Sequence, residues 1–162
     1  KATPEVQAAA ATMFNGGVQV IFACGGAVGQ SVMAAATTAG AKVIGVDVDQ
    51  SADSNTVITS AMKNLAGSVQ QALEALFETG NWDEDFGGQS VTLDASREGV
   101  QLPMATSRFA TFSTADYNTL LGKLVDGTYT VSNVIGAFGD DGNAAKQFET
   151  AIVKVEVISF GN

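Results

Sequence analysis

A pair of aspartates, Asp47 and Asp49, stands directly after the apolar segment Lys42–Val46. A carboxylate in this position can accept two hydrogen bonds from vicinal hydroxyls, which is how proteins commonly hold sugars. Three other interpretations of the pair stay open. The two acids bind Mg²⁺, they form a phosphoacceptor pocket, or they lie in a solvated loop and bind no ligand. Lys63 follows the next apolar segment and is expected to reach the same edge of a sheet. These residues predict a polar ligand site.

A glycine-rich turn, Cys24–Gly29, precedes these acids and adds a second candidate element of the site. It lacks glycines at the first, third and sixth places of the dinucleotide fingerprint, so a nicotinamide or flavin site is only an alternative. Gly25 and Gly26 would still let a ligand approach the backbone. Phe22, just before the turn, is expected either to join the core or to stack on a base. Cys24 is expected to be a small buried residue rather than a reactive thiol.

Composition excludes several classes of function. Seventeen acidic and eight basic residues give a net charge of −9, and there is no histidine. Nucleic acids and anionic membrane surfaces are bound by basic patches, so neither is an expected partner. Without histidine, a hydrolytic triad or a zinc site is not expected. Because no nucleophile, general base or metal-ligand set is evident in the sequence either, we expect a protein that is not an enzyme and that needs no cofactor or metal.

The elements that must position these residues form a βαβ unit. Val18–Ala23 is apolar and β-branched, which predicts a strand buried on both faces. Gln30–Ala39 keeps a helical period, and Gly40 follows where a left-handed helix cap belongs. Lys42–Val46 is the second strand. In open α/β sheets, ligands bind at the carboxyl ends of such strands, where the candidate site residues lie.

The rest of the chain extends this unit into one α/β domain. Thr3-Pro4-Glu5 predicts a helix start, because Thr caps, Pro suits the first helical position and an acid suits the first turn. The spacing further predicts strands at 57–60, 89–94 and 151–160, helices at 65–78 and 113–126, and a short extended piece at 99–103. The fold class is α/β with a doubly wound, mostly parallel sheet, and residues 1–162 are expected to form a single lobe.

Several segments resemble, in order and spacing, the basic membrane protein family of bacterial lipoproteins. They are Gly17–Phe22 (GVQVIF), Gly25-Gly26, Val43–Gln50 (VIGVDVDQ) and Thr59–Lys63 (TSAMK). The resemblance is closest over residues 5–78, extends to about 131 and is weak over 132–162. Members of this family bind purine nucleosides for ABC importers.

This resemblance implies one lobe of a type I periplasmic-binding-protein fold, in which two α/β lobes hold the ligand between them. The chain resembles the carboxyl-terminal lobe alone, with no counterpart of the amino-terminal lobe. It opens on Lys1 without an initiator methionine, so we expect a processed or excised piece. The implied partners are a purine nucleoside or related sugar-bearing molecule, the missing amino-terminal lobe and an ABC permease. The implied location is extracytoplasmic, with the full-length protein lipid-anchored at the cell membrane.

The same resemblance implies a role for each candidate residue. Phe22 would lie against the base, and Gly25 and Gly26 would give backbone room. Asp47 would hold the ribose hydroxyls, with Asp49 as a lesser candidate for that role. Lys63 would bond the ribose or steady the aspartate.

Two other classes of function remain open on the residues themselves. One is an enzyme with a nucleotide cofactor on a flavodoxin- or Rossmann-like sheet. The other is a ligand-sensing or assembly domain built on the binding-protein fold.

Overall fold

The computed structural model describes residues 1–131 together with residues 152 and 154. By its internal contacts the chain divides into Lys1–Tyr129 and Thr130–Asn162, and all elements named below lie in the first unit. Residues 135–142, whose many glycines and aspartates predict a surface loop, lie outside the described residues. All but two residues of the strand predicted at 151–160 also lie outside them. The prediction of a single lobe over 1–162 therefore stays a prediction.

The described part is an α/β fold built on a mostly parallel open sheet, as predicted. Strands β1, β2 and β3 run parallel in that order, and the short β4 adds antiparallel to β3. The strands are β1 Val20–Phe22, β2 Lys42–Asp47, β3 Val57–Lys63 and β4 Val100–Gln101. The helices are α1 Pro4–Asn15, α2 Val28–Ala39, α3 Leu65–Glu74, α4 Trp82–Asp85 and α5 Thr114–Val125, with a π-helical turn at Ala75–Thr79 and a 3₁₀ turn at Ala95–Arg97.

Helix ends follow the local signals in the sequence. The Thr3 hydroxyl accepts a hydrogen bond from the Val6 amide at the start of α1. Gly40 adopts φ 66° as the left-handed cap of α2. Ser113 and Asp116 form a reciprocal capping box at the start of α5. These caps satisfy backbone groups that a helix end leaves unpaired, so the predicted boundaries are confirmed.

The core lies between the first two helices and the middle of the sheet. Helix α1 packs on α2, and the Ser31 hydroxyl of α2 bonds both the amide and the carbonyl of Thr3. Val43 of β2 and Val57 of β3 are fully buried at the sheet centre. Apart from Phe14 and Met33, the other buried core residues are small and suit close helix packing: Ala10, Ala23, Val32, Ala35 and Ala36.

Three predictions from the sequence were wrong. The first strand is not buried on both faces: it lies at the edge of the sheet that the described residues form, and Val20 and Phe22 are exposed. Cys24, at its end, is exposed as well. No strand forms over 89–94, because the alternating residues there have no neighbouring strand and lead into the turn at Ala95–Arg97.

Candidate functional site

Asp47 ends β2 in a backbone conformation that non-glycine residues seldom adopt. Its φ is +69°, and the Val48 amide donates to the Val46 carbonyl at 2.8 Å across it. This is a γ-turn of the strained form, with Asp47 at its centre. Such strain persists where the surrounding structure holds it, and it concentrates at functional sites. The turn places the Asp47 carboxylate at the carboxyl edge of the sheet.

Lys63, the last residue of β3, meets Asp47 at this edge. Its Nζ atom lies 2.7 Å from Oδ1 of Asp47, while the two side chains are 62% and 42% exposed. Oδ1 itself is shielded from solvent and the contact is off the regular hydrogen-bond angle, so it is best described as an ion pair. The short contact with Asp47, followed by the charge of its carboxylate, raises the pKa of Lys63 above its ordinary value.

The Asp47 carboxylate makes no hydrogen bond of regular geometry to any residue in the described part of the chain. An ionised carboxylate has about four acceptor positions on its two oxygens. With one cation beside it and the side chain partly exposed, Asp47 keeps acceptor capacity for hydroxyl groups that arrive from outside.

Asp49 stands two residues away but has a different environment. Its Oδ1 accepts from the Ser51 amide at 2.9 Å, and its Oδ2 accepts from the Thr106 hydroxyl at 2.6 Å. The Thr106 hydroxyl, followed by the Ser51 amide, lowers the pKa of Asp49. Both oxygens thus bind neighbouring loops. This bonding contributes stability at neutral pH that is lost as the pH falls through the lowered pKa.

An open apolar cavity of about 350 Å³ adjoins the ion pair. Phe22 and Cys24 line one side of it, and Lys63 lies on its wall. The opposite side is formed by an apolar stripe of α5. The remaining lining residues are Val46, Ala61, Met62, Val100, Gln101, Leu102, Tyr117, Leu120, Leu121 and Leu124.

The glycine-rich turn lies between β1 and α2, at the same edge of the sheet. Gly25 and Gly26 are both exposed. Gly26 has φ +61°, and a Cβ atom on Gly25 would lie 2.7 Å from a methyl group of Val28. A side chain at either position would therefore be strained. The structure brings Phe22 and Lys63 to one cavity and pairs Lys63 with Asp47, whereas Asp49 bonds to the neighbouring loops.

Comparison with known proteins shows the family. Residues 4–147 match the family model Bmp, described as ABC transporter substrate-binding protein PnrA-like. The match covers most of the 162 residues. The chain belongs to the Bmp family. Its proteins are substrate-binding components of transport systems, not enzymes.

Two individual proteins show how far the similarity of this Bmp-family chain extends. It is 36% identical to Basic membrane protein D of Borreliella burgdorferi (strain JD1) over 96 residues, which are 57% of this chain and 27% of that protein. It is similar in fold, with a TM-score of 0.56 and 24% identity, to an ABC transporter solute-binding protein from Conexibacter woesei DSM 14684. That match covers 78% of this chain and 41% of the other. The matched part of the chain thus corresponds to less than half of either protein.

The α5 side of the cavity was not predicted from the sequence. Tyr117, Leu120, Leu121 and Leu124 recur at the i, i+3, i+4, i+7 spacing of an apolar helix face. That spacing was available in the sequence and would have identified them as an inward face. The Tyr117 hydroxyl also accepts a hydrogen bond from the Leu102 amide at 3.2 Å, which ties α5 to the segment after β4.

The described residues show no group of three or more acids or cysteines arranged to hold a metal ion. None of the helices in the described ranges has the length and apolar character needed to cross a bilayer.

Substituting Asp47 with asparagine should return the pKa of Lys63 toward its ordinary value. Asparagine tolerates the left-handed backbone of Asp47 but carries no charge. Because the pair raises the pKa of Lys63, its stabilising effect is present at neutral pH and is lost only as the pH rises through that pKa. An NMR titration of the lysine Cε or Nζ signal measures this change.

The matched control is Asp49→Asn, which removes a charge two residues away and should leave the Lys63 titration unchanged. Equal shifts in the two variants would show that Lys63 responds to general acidity rather than to its pairing with Asp47.

Proposed function

We propose that this chain is the ligand-capturing lobe of a two-lobed extracytoplasmic protein that delivers nucleosides to an ABC permease. The observation that carries the proposal is the partly exposed Asp47 carboxylate, paired with Lys63 and otherwise without a regular hydrogen bond among the described residues. It stands beside an apolar cavity at the carboxyl edge of the sheet. A polar pair next to an apolar wall suits a ligand with hydroxyl groups at one end and a flat ring at the other.

Each predicted site residue takes a definite task in this proposal. Asp47 accepts hydrogen bonds from the ribose hydroxyls, and Lys63 donates to a ribose oxygen while it holds the carboxylate in place. Phe22, which is half-exposed, offers a ring face to the purine. Gly25 and Gly26 leave the backbone open to the ligand. Asp49 ranks below Asp47, because its oxygens already accept bonds from Ser51 and Thr106.

An exposed apolar face on α3 and its π-helical extension supports the presence of a second lobe. The five large apolar side chains of this face lie on one side of the helix, and each is at least 45% exposed. An exposed apolar patch of this kind is typical of an interaction surface. Helix α3 starts two residues after Lys63, so its face begins beside the binding edge. We infer that the amino-terminal lobe covers it. The face consists of Leu65, Val69, Leu73, Leu76 and Phe77.

Two lobes would also explain how an open site holds its ligand. Small-molecule sites usually bury most of the ligand surface, whereas this cavity is open on one side. Closure of a second lobe would exclude water and supply further contacts. We therefore expect one lobe alone to bind weakly. Lipid anchoring at the cell membrane and a permease partner complete the proposal for the full-length protein.

A ligand screen tests this function. Inosine, guanosine, adenosine, free ribose and other sugars are added to this chain and to the chain fused after the amino-terminal lobe of a Bmp-family relative. Thermal shifts report binding in both, and NMR amide shifts detect weak binding to the chain alone. We expect nucleosides to stabilise the two-lobed protein strongly and to perturb amides near Asp47 and Phe22 in the single lobe.

The alternatives give different results in the same screen. Tight nucleoside binding by the chain alone would contradict the shared-cleft account. A bound flavin or nicotinamide, seen by its absorbance, would instead indicate an enzyme. No response to any nucleoside or sugar, together with self-association through the α3 face, would favour an assembly domain.

A further inference from the structure

Strand β2 extends beyond the point where its neighbour β1 ends. Alternate amides of β2 face opposite neighbours: Lys42 donates to Gln19 on the β1 side, and Val43 donates to Thr56 on the β3 side. Val46, four residues after Lys42, thus faces the β1 side, but β1 stops at Phe22. The Val46 amide would be left without a strand partner.

The Gln50 side chain fills this gap. Its Oε1 atom accepts a hydrogen bond from the Val46 amide at 2.8 Å. Its own backbone amide donates to the hydroxyl of the fully buried Ser60 on β3 at 3.0 Å. Its Nε2 donates to Asp53 at 3.2 Å. Gln50 is therefore anchored on the β3 side and reaches across β2 to the β1 side.

The absence of a side chain at Gly45 makes this crossing possible. A Cβ atom there would lie 2.5 Å from the Ser60 hydroxyl, 2.8 Å from Oε1 of Gln50 and 3.1 Å from its Cβ. The first two distances are too short for a real Cβ atom, and the third is tight, so Ser60 or Gln50 would have to move. The Gln50 side chain thus packs directly against the backbone of Gly45. The γ-turn centred on Asp47 begins at Val46, whose amide donates to Gln50.

We propose that Gln50 is the positioning residue that sets the Asp47 carboxylate, by holding the Val46 amide and closing the 47–50 loop against Ser60. This rests on the proposed role of Asp47 as the ligand-binding carboxylate. Val46 is held at the N-terminal side of the strained turn, and Gln50 itself is fixed at the C-terminal side. With both ends of the turn held, Asp47 keeps the backbone conformation that brings its side chain to Lys63.

The test compares Gln50→Leu with a double variant, Gln50→Glu together with Asp53→Asn. Leucine keeps the approximate size but removes the acceptor for the Val46 amide. The double variant keeps the acceptor and reverses the polarity of the bond to residue 53. The pKa of Lys63, followed by NMR, reports whether Asp47 remains in place, and a purely structural role would change the melting temperature without moving this pKa.

We expect the pKa of Lys63 in Gln50→Leu to fall to the value found in Asp47→Asn, and the double variant to keep the wild-type value. A Gln50→Leu protein that folds and retains the wild-type pKa would overturn the proposal. Because Gln50→Leu could fail to fold, the wild-type protein gives a second measurement. A through-hydrogen-bond coupling between the Val46 nitrogen and the Gln50 side-chain carbonyl is expected, with slow exchange of that amide, and fast exchange would also overturn it.

Titration of inosine into the same samples separates this inference from the proposed function. If Lys63 responds as expected but inosine perturbs no amide near Asp47 in the wild-type chain or its two-lobed fusion, Gln50 positions the aspartate and the nucleoside proposal fails. If inosine perturbs these amides equally in wild type and Gln50→Leu, the nucleoside proposal stands and the positioning role fails.

Discussion

Replacing Phe14 with alanine is expected to lower the free energy of unfolding by about 3–5 kcal/mol, as is typical when a buried phenylalanine is truncated. Phe14 lies at the end of α1 and is only 7% exposed within the core cluster. Most of the other buried core side chains are small, so they cannot move far enough to fill the cavity that the substitution leaves. Small domains have only about 5–15 kcal/mol in total. Urea unfolding followed by circular dichroism measures the loss.

The matched control is the same substitution at Phe77, which is 76% exposed on the α3 face. In the single lobe it should change the unfolding free energy by no more than about 0.5 kcal/mol. It should also reduce any self-association, because it removes an exposed ring. A large loss at Phe77 in the single lobe would mean that the α3 face is already covered, which would contradict its proposed contact with a second lobe.

Replacing Gly45 with alanine is expected to cost about 1–3 kcal/mol, the usual cost of overpacking a filled site. The added methyl would overlap Ser60 and Gln50. One of them must move, and the bond from the Val46 amide to Gln50 is then lost or lengthened. Urea unfolding gives the stability, and the amide exchange rate of Val46 gives the state of the bond.

Gly122→Ala is the control for this prediction, since it has the opposite expected sign. Gly122 lies inside α5, and a Cβ atom there would meet nothing within 4 Å. Alanine in a helix interior is better than glycine by about 0.5–1 kcal/mol. If Gly45→Ala were as stable as wild type, the close packing over Gly45 would be disproved.

Features with a local cause could be predicted from the sequence. The start of α1 at Thr3 and Pro4, the end of α2 at Gly40 and the start of α5 at Ser113 all depend on residues within one turn of the boundary. Their hydrogen bonds form between near neighbours in the chain, so the pattern of residue types is sufficient. The order of strands and helices through Lys63 followed from the same kind of signal.

Features that depend on which strand lies beside another were predicted less well. The residues Val18–Ala23 have the composition of a central strand, but the sheet places β1 at its edge and leaves Phe22 half-exposed. The spacing of apolar residues shows that a segment has an apolar side, but it does not show which other element covers that side. Residues 89–94 alternate like a strand, yet no strand is placed next to them.

The sequence by itself determined the family, the α/β class and the candidate residues at the carboxyl edge, because these depend on the residue types of short segments and on the order of those segments along the chain. The resemblance ranked Asp49 below Asp47, but only the tertiary structure gave the physical difference between the two carboxylates. Asp49 accepts a hydrogen bond from Thr106, a residue far along the chain, whereas Asp47 pairs with Lys63, which lines the cavity. Two acids with the same local signal have different environments, because long-range packing decides which carboxylate accepts hydrogen bonds from the protein.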